Sequence, residues 1–232
     1  MKHYYFILFY ILCNLLIFGF QGGWLVYLLF FLFFITIVSL GAFDIELKYF
    51  VDSICKKHTP NKEVALTFDD GPTEFTPLYL DLLKEYNVKA TFFCIGKQIE
   101  KYPETFNRII KEGHSIGNHT YSHSHSTGFL STQEMIAEIK KCDEVMLKIG
   151  NYTTPLYRPP FGVTNPNIYK ALKKTSKKSI GWNIRSLDTV IDSEKKIYNR
   201  ICKRITKGNI ILMHDTSMKS FNVLEELLLF LK

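Results

Sequence analysis

The chain has 232 residues, a formal net charge of +7 and five cysteines. Lys2 is the only charged side chain before Asp44, so +6 of the +7 lies beyond residue 43, and basic character beside an apolar head favours contact with anionic lipid or phosphate. Residues 44–232 can bury a core without staples; the odd set Cys13, Cys55, Cys94, Cys142 and Cys202 has no paired spacing, leaves at least one cysteine free and argues against an oxidising compartment, and the absence of aromatic-basic interleaving excludes nucleic acid as the expected partner.

The head contains two apolar stretches, 4–20 and 24–43, divided only by Gln21-Gly22-Gly23. At about 1.5 Å per helical residue they reach roughly 25 and 30 Å, against a hydrocarbon core of about 30 Å. A membrane anchor over 1–43, folded as a hairpin of two spans in a bacterial-type inner membrane, is the preferred expectation. A single signal-anchor is the rival, and a cleaved signal peptide is disfavoured because no A-x-A-like site follows Phe20. Lys2, Lys48, Lys56 and Lys57 flank the stretches, so a hairpin puts both ends in the cytoplasm and a single span puts the following domain outside. Residues 44–60 read as a linker and 61–232 as the catalytic domain.

Beyond the linker, short β-rich runs alternate with helical patterns. Strands are expected over 63–68, 90–95, 114–118, 156–158, 179–184 and 210–213. Helices are expected over 76–86 (with Leu78, Leu82 and Leu83 on one face), 103–111, 166–174, 193–205 and 222–231. A long helix over 131–150 opens on the capping-box spacing Ser131-x-x-Glu134. Such alternation predicts an α/β fold with a mainly parallel sheet, open or closed into a barrel. Active sites of that class gather at the C-terminal strand ends, where Asp69, Asp70, His119, His123, Arg158, Asp188 and His214 all fall.

Adjacent carboxylates at a strand-to-loop switch point in different directions, so one of Asp69 and Asp70 can bind a metal while the other faces substrate. His119 and His123 are four apart, and one helical turn would put both imidazoles on one side. With one carboxylate they form a 2-His-1-carboxylate face that suits Zn²⁺, with Fe²⁺, Co²⁺ and Mn²⁺ as alternatives. His125 is the weaker ligand by its displaced spacing. Trp182 and Tyr157 read as wall or core, and His114 and His58 as structural or solvent-facing.

Four ordered motifs, Thr67-Phe68-Asp69-Asp70-Gly71-Pro72, His119-Thr120-Tyr121-Ser122-His123-Ser124, Arg158-Pro159-Pro160-Phe161-Gly162 and Leu212-Met213-His214, resemble the polysaccharide deacetylases, the NodB-homology domain of carbohydrate esterase family 4. The resemblance covers about residues 61–231. It implies a distorted, incompletely closed (β/α) barrel and a metal-dependent hydrolase that removes N-acetyl or other N-acyl groups from amino sugars of a glycan or lipid-linked glycan. It further implies that Asp70, His119 and His123 bind the metal, Zn²⁺ first among candidates, that Asp69 is the general base, and that Arg158 holds the base. His214 matches the general acid, Asp188 the aspartate that keeps it protonated, and Leu212, Pro160 and Phe161 the substrate contacts. The expected partners are an N-acetylated glycan or lipid-linked amino sugar and membrane lipid.

The chain departs from the family pattern in two places. Where family members read Asp-x-x-Asp-Trp, this chain reads Arg185-Ser186-Leu187-Asp188-Thr189, which changes the wall of the acyl pocket. Family members usually add a strand after the last helix, whereas this sequence stops at Phe230-Leu231-Lys232, so the expectation is either a more open barrel or an incomplete chain. A catalytically silent glycan-binding membrane protein and an amidase acting on a non-sugar are the alternative functions. The first would be expected to lack Asp69 or His214.

Overall fold

A computed structural model describes residues 2–21 and 23–232; Gly22, in the expected turn between the apolar stretches, lies outside the described residues. The apolar stretches are helices α1 (Lys2–Gly19) and α2 (Trp24–Phe43), each long and apolar enough to cross a membrane by length and composition. Among their residues only Gly41 is buried, and helices hydrophobic all round require a lipid or protein environment. They pack side by side: Phe6 stacks on Phe34, and Tyr10 on Phe30. Lys2 Nζ donates to Leu47 O at 2.9 Å, and the His3 ring contacts Tyr49. The start of α1 and the end of α2 therefore lie at the same end of the pair.

The remainder is one parallel sheet wrapped by helices. Seven strands, β1 (Ala65–Asp69), β2 (Thr91–Cys94), β3 (Ser115–Asn118), β4 (Leu156–Tyr157), β5 (Lys178–Ser179), β6 (Ile184–Arg185) and β7 (Ile210–His214), run in the order β5-β4-β3-β2-β1-β7-β6. All the pairs are parallel. The parallel sheet is as the α/β alternation predicts, and it curls into the incompletely closed barrel that the family resemblance implies. A rope of chain spans the gap between its edges: Ile54 exchanges backbone bonds with Ser179 and Gly181, and Lys57 N donates to Gly208 O. The stretch expected to be a linker is thus packed, with Ile45, Tyr49, Phe50, Val51 and Cys55 buried.

Period-two alternation decides which side chains meet the barrel interior. On β1, Leu66 and Phe68 enter the main core beneath the helices, whereas Thr67 and Asp69 turn inward. On β7, Ile211 and Met213 join that core, and Ile210 and Leu212 pack inside against Trp182. The helices α3 (Thr76–Glu85), α5 (Pro103–Lys111), α6 (Thr132–Gly150), α7 (Pro166–Lys174), α8 (Glu194–Cys202) and α9 (Met218–Leu231) cover the outside. The capping box is formed: Ser131 Oγ accepts from Glu134 N, and Glu134 Oε2 accepts from Ser131 N.

Several sequence expectations differ in detail. The single strand over 179–184 is two strands, β5 and β6, because Gly181 and Trp182 turn across the barrel mouth, and Gly181 leaves the room that Cys55 and Ile45 fill. Leu78 is exposed; the buried face of α3 is Thr76, Tyr79, Leu80, Leu82 and Leu83, and the i, i+3, i+4, i+7 stripe through 76, 79, 80 and 83 leaves Leu78 off it. A six-residue helix α4 (Gly96–Lys101) was not expected: too short to show a period, it buries Gly96 and Ile99. The last helix begins at Met218, capped by Ser217, four residues before its expected start.

Candidate active site

The residues singled out from sequence come to one rim, at the C-terminal strand ends. Asp69 and His214 are direct register partners across β1 and β7. Asp69 is fixed by Arg158, a fully buried guanidinium that donates to Asp69 Oδ1 at 2.6 Å and Thr67 Oγ1 at 2.8 Å. Its remaining nitrogens reach Ile180 O and Gly181 O, and its plane lies 4.0 Å over Phe93. A buried charge so completely paired holds one geometry. Gly117 belongs to the same arrangement, because a Cβ there would strike the Phe93 ring.

Asp70 turns the other way, its backbone in the left-handed region at φ 73°. Its Oδ1 lies 3.4 Å from His119 Nε2 and 3.3 Å from His123 Nε2. No helix makes this pair, contrary to the helical-turn expectation. The stretch after β3 is an irregular loop in which Thr120 (φ 67°) and His123 (φ 48°) are left-handed. A β-branched residue in that region is an outlier held by its surroundings. Asn118 Oδ1 accepts from Thr120 N, Thr120 Oγ1 accepts from His123 N, and Glu138 Oε2 on α6 accepts from both Ser122 N and Oγ. Sequence reasoning did not single out Asn118 or Glu138, and no spacing marks them.

The three donors fit a divalent cation. His119 Nδ1 donates to Arg158 O at 2.9 Å, and because a carbonyl only accepts, the proton sits on Nδ1 and Nε2 is left with its lone pair toward Asp70. Asp70 Oδ1 is buried without a hydrogen-bond partner. Donors about 2 Å from a tetrahedral ion stand roughly 3.4 Å apart, close to the spacing found. Burial pushes His123 down to about 4, so it is a neutral donor at neutral pH. Burial alone would raise Asp70, but the three imidazoles that face it, His119, His123 and His214, hold it well below the usual carboxylate range. His125 stays outside the cluster, stacked on Phe161.

Across the cleft, His214 Nδ1 meets Asp188 Oδ1 at 2.8 Å, while Asp188 Oδ2 accepts from His214 N. Burial would lower His214, but the hydrogen bond and charge of Asp188, with the charges of Asp69 and Asp70, push it up to about 9. Ser186 Oγ also donates to Asp188. Arg185 is exposed, and Thr189, where the family carries Trp, is exposed as well. Leu212 is buried against Trp182, Pro160 is buried, and Phe161 stands at the rim beside His123 with φ 59°. Beneath His214 lies another unforeseen carboxyl. Asp215 is buried, accepts from Thr76 Oγ1, fills the space beside Gly71, and leaves Oδ1 without a partner. A cavity of about 840 Å³ lined by Val64, Leu66, Tyr86 and Leu228 lies at the opposite end of the barrel, away from this chemistry.

A sequence model of the polysaccharide deacetylases matches residues 56–180. The chain belongs to the polysaccharide deacetylase family. It is 41% identical over 155 residues to a peptidoglycan-N-acetylglucosamine deacetylase of Bacillus cereus, covering 66% of this chain and 56% of that one. It is 36% identical over 185 residues to the peptidoglycan-N-acetylmuramic acid deacetylase PdaC of Bacillus subtilis, covering 78% and 39%. The solved structure of PdaC superposes with a TM-score of 0.70 at 34% identity, covering 74% of this chain and 84% of that one. The chain spans about half or less of the full length of those two relatives.

Proposed function

We propose that this polysaccharide deacetylase family member removes N-acetyl groups from amino sugars at a membrane, using a divalent cation held by Asp70, His119 and His123. One observation carries the reading: a carboxylate fixed by a buried arginine and a histidine paired with a buried aspartate flank the same three-donor cluster. Zn²⁺ suits this donor set, and when bound it supplies positive charge that polarises an acyl carbonyl and acidifies a water. Asp69, oriented by Arg158, accepts the proton of the attacking water. His214, protonated at neutral pH and anchored through Nδ1, presents Nε2 to the cleft and donates to the departing amine, which is a poor leaving group unprotonated. Acetate and a free amino sugar are the products. Leu212, Pro160 and Phe161 supply the substrate wall.

The named activities of the relatives support an N-acetylated glycan as substrate. We assign α1 and α2 as a membrane anchor and residues beyond 43 as the catalytic part. The bond from Lys2 to Leu47 and the contact of His3 with Tyr49 favour two crossings over one, since they keep both ends together. With Lys2, Lys48, Lys56 and Lys57 at that end, the positive-inside tendency puts the domain in the cytoplasm, where a lipid-carried amino sugar is the accessible substrate. A reporter fused after Lys232 reports the side directly.

The activity reading is tested with the purified chain and added Zn²⁺. Acetate release is expected from N-acetylglucosamine oligomers or lipid-linked N-acetyl sugars, and Asp69→Asn should remove it while metal binding persists. No release from any such substrate by the metal-loaded chain would falsify the reading.

A further inference from the structure

The structure points to a second contact with the membrane besides the two helices, and it lies at the mouth of the catalytic cleft. We propose that Phe129, at the tip of the turn Thr127–Phe129, inserts into the lipid interface among the acyl-chain ends, with Lys170, Lys173 and Lys174 against anionic headgroups, so that the cleft opens onto the bilayer surface. This rests on the assignment of α1 and α2 as spans.

Phe129 is 93% exposed, the most open large apolar side chain of the described residues. Its place in the chain is nevertheless fixed. Asn165 Nδ2 donates to Gly128 O at 2.7 Å, and Asn167 Nδ2 donates to Leu130 O at 3.1 Å, so both neighbours of Phe129 are tied to the segment leading into α7. That segment is tied in turn to the final turn of α2: Thr164 N donates to Ala42 O at 2.9 Å, and Thr164 Oγ1 to Gly41 O. A rigid line of contacts thus joins the end of the second span to the Phe129 turn.

The level of that end follows from length. Twenty helical residues at about 1.5 Å each match a hydrocarbon core of about 30 Å, which places Ala42 and Phe43 at its boundary. The domain reaches beyond that boundary, because Ile37 and Val38, roughly 8 Å back along the helix axis, pack with Leu130, Ile136 and Tyr169 on the cluster of Tyr49, Phe50, Met135 and Ile168. A surface that touches the span at that depth sits among headgroups and upper acyl chains, where an aromatic side chain gains a partner that water does not offer. The exposed lysines of α7 complete the match, since cationic side chains beside an inserted apolar residue bind anionic lipid.

The same turn borders the chemistry. Thr127 N and Oγ1 both donate to Ser124 O, one residue from His123, and Phe161 on the other lip packs on His123 and His125. A sugar carried on a membrane lipid would enter the cleft across this lip without leaving the surface.

The test uses the full chain in vesicles of phosphatidylcholine and phosphatidylglycerol, with Phe129→Trp compared against wild type to subtract Trp24 and Trp182. Lipids brominated near the headgroup should quench the added fluorescence and its emission should shift to the blue, more so with phosphatidylglycerol present. Phe129→Asp should keep activity on a soluble N-acetylglucosamine oligomer and lose about tenfold in kcat/KM on a lipid-linked N-acetyl sugar. If the added fluorescence of Phe129→Trp stays unquenched in a chain that resists carbonate extraction, the proposal is overturned while the spans stay in place. Release of the chain by carbonate overturns both. Should neither substrate be deacetylated, the activity reading fails, and the quenching alone decides the placement of the turn.

Discussion

Asp188 and Asp215 sit on either side of His214 with opposite electrostatic fates, and each gives a pH-dependent expectation. Asp188 accepts three hydrogen bonds, which overcome its burial and keep it below the usual carboxylate range. Its charge raises His214 to about 9, so the acid is loaded below that pH and activity should fall as pH rises through it. Asp188→Asn removes the charge. Its kcat should drop by about 10²- to 10⁴-fold, the range of a lost general acid, and its alkaline limb should move to lower pH in a pH-rate profile. Asp215 has the reverse balance: burial outweighs its bond from Thr76 and pushes it up to about 7. A raised folded-state pKa means the folded chain holds the proton more tightly than the unfolded one. Its stabilising effect is complete below about pH 4 and fades as pH climbs through about 7. Urea midpoints of the wild type should therefore decline between pH 5 and 8 more steeply than those of Asp215→Asn. Equal slopes would show that Asp215 is already ionised in the fold. Asp188 was legible because it lies inside a recognisable motif; Asp215 was not, since its isolation depends on Thr76 and Gly71, remote in sequence.

At the scale of elements, the proposed metal cluster is held by pieces that individually look ordinary. The spacing of His119 and His123 suits a helix, yet the loop achieves the same convergence with left-handed Thr120 and His123, which sequence period cannot reveal. Helix α6 braces that loop through Glu138, and Asn118 ties the strand to the same helix by donating to Ile139 O and Asp143. The capping box made α6 readable, whereas its bracing role appears only once β3 and α6 are packed together. Glu138→Ala should leave the far-UV spectrum unchanged and weaken Zn²⁺ binding about 10- to 100-fold, as loss of outer-shell support does, measured by competition with a chromogenic chelator. Undiminished affinity would mean that the Asn118 and Thr120 bonds hold the loop unaided. The division of 179–184 into β5 and β6 was hidden for a related reason: two-residue strands are too short to carry an alternation, and their split is dictated by Trp182 filling the space beneath Gly162.

For the whole molecule, the parallel order of the sheet followed from alternating strands and helices, but the way the barrel gap is bridged did not. The bridging residues 53–57 belong to the basic stretch after the apolar helices, which has no strand-like period. Their engagement ties the two apolar helices to the barrel through Tyr49, Phe50 and Val51, buried in a cluster that Phe6, Ile37, Val38 and Ala42 also cover. Removing residues 1–43 should therefore uncover apolar surface without disturbing the proposed catalytic residues, all of which lie on the strands and loops from β1 onward. The expected protein is folded, with a lower melting temperature than the full chain in detergent and a greater tendency to self-associate. It should retain deacetylation of a soluble oligomer and the metal-induced rise in melting temperature, because ligand binding to the folded state stabilises by about 2.7 kcal/mol at a hundredfold excess over Kd. Calorimetry with and without Zn²⁺ reads both effects. A truncated chain that shows no cooperative transition at all would mean that the helices are part of the folding unit instead of an appended anchor.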